Sequence, residues 1–310
     1  MNKKLNKILL IMFLTISFLE LFSHSNVVKE AIINSSKLWF YNLVPSILPI
    51  YLFIDISLNY NYFKYIDIIL YPLLNKLFNI KKNISYIFIL SILSGFPSNS
   101  KYLKNALDNN LINIKEANRL LTFTHFSNPL FIIESIGINF LNNKKIGIII
   151  LISHYLGNII LGILNRKSYN NISNNNIENK KNSFINTLSN SITNTFSILI
   201  LLYGIITFFM IITSLLNVNI NINPIINGLI CGLLEITNGI SLVSNLSIPI
   251  IYKGIIITFL LSFGGLCIHM QVFSILKEYS LKYSSYLKYR IIHGIVSSCI
   301  FYCIYVSIAK

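Results

Sequence analysis

Apolar residues run along this chain in long stretches instead of at the intervals of an amphipathic surface helix. Stretches at roughly 5–22, 38–58, 119–141, 146–164, 196–216, 222–243, 255–276 and 291–309 approach the ~20 residues that one membrane span needs. The pattern predicts an all-α, polytopic membrane protein forming one integral membrane domain over 1–310. Two apolar regions are interrupted where a plain span would not be: Ser94-Gly95-Phe96-Pro97-Ser98-Asn99-Ser100 and Gly232-Leu233-Leu234-Glu235-Ile236-Thr237-Asn238-Gly239. Backbone that leaves the helix at bilayer depth persists only where it lines a wet cavity or meets a ligand. One such break in each half points to a site built from two structural repeats.

The order of features repeats. In the first half an apolar run, Tyr86–Leu93, meets the Gly/Pro/Ser break, then an amphipathic stretch, Lys101–Arg119, then a run interrupted by Phe126-Ser127-Asn128-Pro129. In the second half an apolar approach meets the Glu235–Gly239 break, and a later run is interrupted by Ser262-Phe263-Gly264-Gly265. This predicts two inverted repeats, each with a re-entrant helical hairpin and a broken transmembrane helix. The first covers 38–164 and the second 184–290, with a terminal helix at 291–310. Residues 165–183 form a polar Asn/Ser/Lys-rich linker. Arg166, Lys167, Lys180 and Lys181 place that linker in the cytoplasm, as Lys3, Lys4 and Lys7 place the N-terminus. Lys144-Lys145 then falls outside, against the same rule, unless a neighbouring stretch is re-entrant. The run Ile8 to Phe22 carries Glu20 and lacks an Ala-x-Ala site, which favours an uncleaved first span over cleavage near Ser23-His24-Ser25.

Composition narrows the classes. Of 310 residues 54% are apolar and 11% charged, with mean hydropathy +0.65. The excess of 25 Lys+Arg over 10 Asp+Glu lies in short loops beside apolar spans, where it orients the chain and meets anionic lipid, so no nucleic-acid partner is expected. Cys231, Cys267, Cys299 and Cys303 lie in apolar runs without metal-ligand spacing and read as packing residues, the last two at a helix–helix contact. No cofactor or metal is expected. Motifs for zinc hydrolysis, phosphate binding or a nucleophile elbow are missing from the sequence, so neither an enzyme nor an ATP-driven pump is expected.

Glu134 and Glu235 are the leading chemical candidates, because a carboxylate inside an apolar run costs at least a few kcal/mol unless it faces a cavity or a partner. Asn128, Glu134 and Glu235 are the candidate ligands of a coupling ion, Na⁺ or H⁺. Each Glu also reads as a protonated or Asn-paired residue between helices. Thr237 and Asn238 add a hydroxyl and an amide beside Glu235. Asn128-Pro129 frees a backbone carbonyl, or is an ordinary kink. In the first break Gly95, Ser98, Asn99 and Lys101 suit an anion at a helix start, or form a surface turn with Ser98 or Asn99 as N-cap. Ser262, Gly265 and His269 share one helical face, with Gln271 beside it. They line a pathway, with His269 carrying a proton, or form a helix seam. His24, His125, His154 and His293 lack partners at ligand spacing and read as interfacial or packing residues.

Four ordered motifs carry a family resemblance: Ser94-Gly95-Phe96-Pro97-Ser98-Asn99-Ser100-Lys101; Ala117-x-Arg119-Leu120-Leu121-x-Phe123-Thr124 with Ser127-Asn128-Pro129-Leu130-Phe131-Ile132-Ile133; Leu234-Glu235-Ile236-Thr237-Asn238-Gly239; and Leu261-Ser262-Phe263-Gly264-Gly265-Leu266-Cys267-Ile268-His269-Met270-Gln271-Val272. Together they resemble the YlbJ-type (SpoVV) sporulation integral membrane proteins, from about Trp39 to Leu276. That family in turn resembles the gate domain of concentrative nucleoside transporters. The resemblance implies a multi-pass protein of the membrane around the developing spore, the outer forespore membrane. It implies a secondary transporter that moves dipicolinate, or a related small anionic solute, from mother cell to forespore for cortex formation. A nucleoside-type transporter and a non-transporting scaffold for cortex assembly are the alternatives. Expected partners are the solute and membrane lipids, with monomer and homo-oligomer both open.

Overall fold

The computed structural model describes residues 11–12, 15, 18–60, 62–167, 183–219 and 222–308. Lys3, Lys4, Lys7, Lys180 and Lys181, with most of the Asn-rich linker and of the first apolar run, lie outside them. All secondary structure among the described residues is helical. Helix α1 (Ser25–Lys37) passes through a π-helical segment (Leu38–Leu43) into α2 (Val44–Asn59). This pair passes as one span bent by 49°. Helix α3 (Phe63–Phe78) follows. The first hairpin is α4 (Tyr86–Ser94) and α5 (Ser98–Asp108). Next come α6 (Ile114–Phe123), an extended break, a π-helix (Phe131–Phe140) and α7 (Lys144–Leu164).

The second half runs in the same order. A 36-residue helix, α8 (Phe184–Asn219), leads to the hairpin α9 (Pro224–Leu234) and α10 (Ile236–Ser244). A broken helix, α11 (Ile250–Phe263) and α12 (Gly265–Ile275), leads to α13 (Tyr283–Ile308). Each half thus has a long or bent helix, a hairpin, a broken helix and a closing span. Helix α3 alone has no counterpart.

The apolar runs do not map one to one onto spans. Four helices, α7, α8, the α11–α12 pair taken through its break, and α13, are long and apolar enough to cross a membrane, and the bent α1–α2 pair makes five. Run 222–243 folds back on itself as α9 and α10, and run 119–141 is two helical pieces around extended chain. Helix α7 is continuous from Lys144 to Leu164, so Lys144-Lys145 and Arg166-Lys167 stand at opposite ends of one span and no re-entrant stretch separates them.

The long helices pack in two groups. Helix α8 lies against α1 and α2, tied by the Trp39 indole N–H to the Leu199 carbonyl (2.8 Å) and by a Ser35–Thr207 hydroxyl contact (2.8 Å). Helix α13 lies against α7 and α11. The main core gathers Phe78, Phe88, Phe123 and Phe126 from the first half with Ile257, Leu260, Leu261 and Phe301 from the second. Asp67 of α3, 1% exposed, accepts the backbone N–H of Asn83 (2.5 Å) and of Ser85 (2.8 Å) and the Ser85 hydroxyl. This carboxylate fixes the approach to the first hairpin by occupying donors that burial would otherwise leave unpaired. At the start of α6, Asn113 and Glu116 form a reciprocal capping box, and Lys81 pairs with Glu116 at 2.7 Å.

Candidate functional site

The four interruptions of the chain meet near the middle of the molecule. Gly95, at φ 75° and ψ −179°, ends α4 in a conformation open essentially only to glycine, and a Cβ there would lie 2.5 Å from the backbone nitrogen of Asn128. Phe96 donates its backbone N–H to the Phe126 carbonyl at 2.6 Å, and its ring stacks on His125 at 4.6 Å between centroids. The first hairpin tip is therefore docked on the extended segment Thr124–Asn128. The second tip is docked likewise: Gly265 approaches the Gly232 and Leu234 carbonyls, and Gly232 and Gly239 bring α9 and α10 together with no room for a side chain. The two broken helices touch where Gly264, at φ 90°, faces Nε2 of His125.

A cavity of about 250 Å³ opens where these breaks converge. The first hairpin contributes Ser94, Phe96 and Pro97, and the second Glu235, Ile236 and Thr237. The first broken helix adds Ser127, Asn128, Glu134 and Ser135, and the second Cys267, Ile268 and Gln271. Helix α8 closes one side with Leu202 and Ile206, and the α1–α2 bend another with Asn42 and Ile47. Two carboxylates face this space, and among the described residues no Lys or Arg lines it.

Glu235 is 3% exposed and has a local role as well. It is the N-cap of α10, its Oε2 accepting the Asn238 backbone N–H at 2.8 Å. The start of a helix favours negative charge, so this position suits a carboxylate. The Asn238 amide donates to the Thr213 hydroxyl at 2.6 Å and ties the hairpin to α8. Gln271 donates to the Cys267 sulfur at 3.3 Å along the opposite wall. Glu134 lies on an exposed face of the π-helix at the cavity margin.

Of the residues singled out in the sequence, Asn128, Glu134, Glu235, Thr237 and Gln271 line the cavity, and Gly95 and Asn238 brace its walls. Several local readings change. The Asn128 carbonyl is not free, since Ile132 donates to it at 3.2 Å, and the Asn128 side chain accepts from Leu130 at 2.8 Å. Ser98 and Asn99 do not cap α5. Pro97 holds the cap position without a side-chain bond, and both residues are fully buried inside the helix. Lys101 faces away from the cavity and pairs with Asp55 at 2.9 Å. Gly264 and Gly265, both at positive φ, interrupt the helix between Ser262 and His269, so these residues form no continuous strip. Cys299 and Cys303 are exposed on α13.

The largest surprise is a polar network behind the cavity. The Ser127 backbone N–H donates to His154 Nε2 at 3.0 Å, and His154 Nδ1 meets the Ser262 hydroxyl at 2.8 Å. His293 donates from Nε2 to the His154 carbonyl at 2.9 Å, which leaves its Nδ1 as an acceptor. Arg290, 0% exposed, reaches His293 Nδ1 at 3.1 Å and the Thr122 carbonyl, and has no carboxylate partner among the described residues. Tyr286 meets His125 Nδ1 at 3.0 Å, while His269 joins Tyr283 at 3.2 Å and the Phe263 carbonyl at 2.9 Å. The histidines read as packing residues thus hold the broken helices to α7 and α13 through hydrogen bonds.

These observations define a class: an all-helical membrane protein whose two hairpin tips and two broken helices enclose a small chamber. Over nearly its whole length the chain is similar to the sporulation integral membrane protein YlbJ of Bacillus subtilis (strain 168). It is 24% identical to it over 335 aligned positions that take in 95% of this chain and 82% of that protein. No family model matches the chain, and no solved structure matches it.

Proposed function

We propose that this protein is a secondary transporter of the sporulating cell, working in the outer forespore membrane and moving a small polar solute through the chamber between its hairpin tips. The observation that carries the reading is the convergence of all four chain breaks on one cavity that also holds Glu235 and Asn128. Irregular backbone at that depth is stable only beside a cavity or a ligand, and paired breaks in two halves are the arrangement of a transport site. The chamber, about 250 Å³, lies just below the ~300–1,000 Å³ usual for ligand pockets and so suits a small solute.

Dipicolinate, for cortex formation, is the solute the family resemblance favours. Two carboxylates on the wall, with no cation there among the described residues, repel a dianion, so such a solute enters with a compensating cation, H⁺ or Na⁺, held by Glu235 with Glu134 on the same wall. The buried Arg290, without a carboxylate partner among the described residues, supplies fixed positive charge behind the chamber. The lack of Lys or Arg among the described wall residues favours a second reading, in which a neutral, hydrogen-bonding solute of nucleoside type is carried.

Uptake by proteoliposomes holding the purified chain decides between them. Labelled dipicolinate and uridine are each offered with and without a Na⁺ or pH gradient. Gradient-driven dipicolinate uptake that Glu235→Gln abolishes supports the first reading, and uridine uptake supports the second. Because Gln keeps an oxygen to cap α10, the variant isolates charge from folding. Absence of uptake for both solutes, or uptake unchanged in Glu235→Gln, defeats the proposed mechanism.

A further inference from the structure

A second, larger recess of about 520 Å³ lies on the same walls as the central chamber. Helix α8 lines the chamber with Leu202 and the recess with Ile198 and Leu201. Helix α12 lines them with Gln271 and with Ser274, one turn later, and the first hairpin with Pro97 and with Lys101. Helix α2 gives Ile47 to one space and Asp55 to the other. The two cavities are thus stacked along one groove, about one to two helical turns apart at 5.4 Å per turn.

What divides them is a separate small apolar cluster, Ile47, Tyr51, Leu199 and Leu202, each at most 4% exposed. On its recess side the Lys101 ammonium lies 4.2 Å from the Tyr51 ring centre and pairs with Asp55 at 2.9 Å. The recess occupies the first half of α8, the helix that follows the linker in the chain. Its rim is braced by Lys104, which pairs with Glu278 at 2.7 Å and with Asp108 at 3.3 Å.

We propose that this recess is the linker-side mouth of the solute path and that the Tyr51 cluster, clamped by the Asp55–Lys101 ion pair, is the gate between mouth and chamber. The inference rests on the transport reading above. Lys101 places an ammonium at the gate itself, and a solute carboxylate arriving in the recess competes with Asp55 for it. Exchange of partners releases α2 from α5 and lets Tyr51 swing aside. The gate therefore selects carboxylate-bearing solutes before they reach the chamber.

Cys267 lines the chamber and serves as a native reporter. In a background of Cys231→Ser, Cys299→Ser and Cys303→Ser, a charged, membrane-impermeant methanethiosulfonate is applied separately to each membrane face. Asp55→Asn, and separately Tyr51→Ala, should raise the Cys267 labelling rate from the linker face by at least about tenfold, a shift of ~1.4 kcal/mol in the closed-to-open equilibrium. The charge swap Asp55→Lys with Lys101→Asp should return the rate toward that of the background, which also shows that the altered chains fold. Pyridine-2,6-dicarboxylate should accelerate labelling in the background and pyridine should not. Rates unchanged in Asp55→Asn and Tyr51→Ala, or raised equally from both faces, overturn the gate. Equal effects of the dicarboxylate and of pyridine overturn the exchange at Lys101. Labelling needs no net transport, so a gate that responds in a chain without solute uptake refutes the transport reading and leaves the gate standing.

Discussion

Replacing Gly95 by Ala tests whether docking of the first hairpin tip holds the chamber together. Two costs add. A non-glycine residue at φ 75°, ψ −179° is strained by about 1–3 kcal/mol. The new Cβ would also stand 2.5 Å from the Asn128 backbone nitrogen and 3.0 Å from its Cα, atoms that cannot rotate away. Restoring ordinary contact moves the tip by about 1 Å, which lengthens the 2.6 Å bond from Phe96 to the Phe126 carbonyl and forfeits roughly 0.5–1.5 kcal/mol. The sum is about 1.5–4.5 kcal/mol. Gly204 provides the control, since a Cβ there meets nothing within 4 Å and helix propensity favours Ala by up to ~1 kcal/mol. Equilibrium unfolding of both variants in mixed micelles should show Gly95→Ala well below the parent and Gly204→Ala at or above it. Equal stabilities for the two variants would refute the docking argument.

Three further outcomes are expected. Arg290→Lys should destabilise the protein by about 3 kcal/mol or more in the same unfolding assay, because an ammonium cannot reach both Thr122 and His293 and leaves buried acceptors unpaired. Glu235→Ala should lose about 1 kcal/mol more than Glu235→Gln, since only Ala removes the cap of α10. At the recess rim, the hydrogen bond and charge of Lys104 hold the Glu278 carboxyl below its ordinary range. With that pKa depressed, the stabilisation is present above the ordinary carboxylate value and disappears as pH falls through the lowered one. Glu278→Gln should therefore flatten the acid limb of a stability-versus-pH curve, and added salt should mimic it.

The hairpins and broken helices were legible because their causes are local. Gly95 and Pro97 cannot continue a helix, and Glu235 is conspicuous in an apolar run. The chamber-lining residues Asn128, Glu134, Thr237 and Gln271 were found by the same logic, as polar groups where apolar ones are expected. Helix α3 was not anticipated, because Lys64, Asp67 and Lys76 punctuate its sequence and Pro72 sits within it. The histidine network was illegible for a different reason. His154 finds Ser262 108 positions away and His293 meets His154 139 positions away, so no spacing along the chain records either contact. Lys101 misled because its partner, Asp55, comes from a helix earlier in the chain whose facing side could not be read from sequence.

Arg290 sits on α13, and its guanidinium reaches back to a carbonyl at Thr122 on α6. During synthesis at the ribosome, the acceptors at Thr122 and His154 are therefore laid down long before the groups that satisfy them exist. Until α13 threads into the bilayer those contacts to Thr122 and His154 cannot form, so the two halves are joined there only once α13 has arrived.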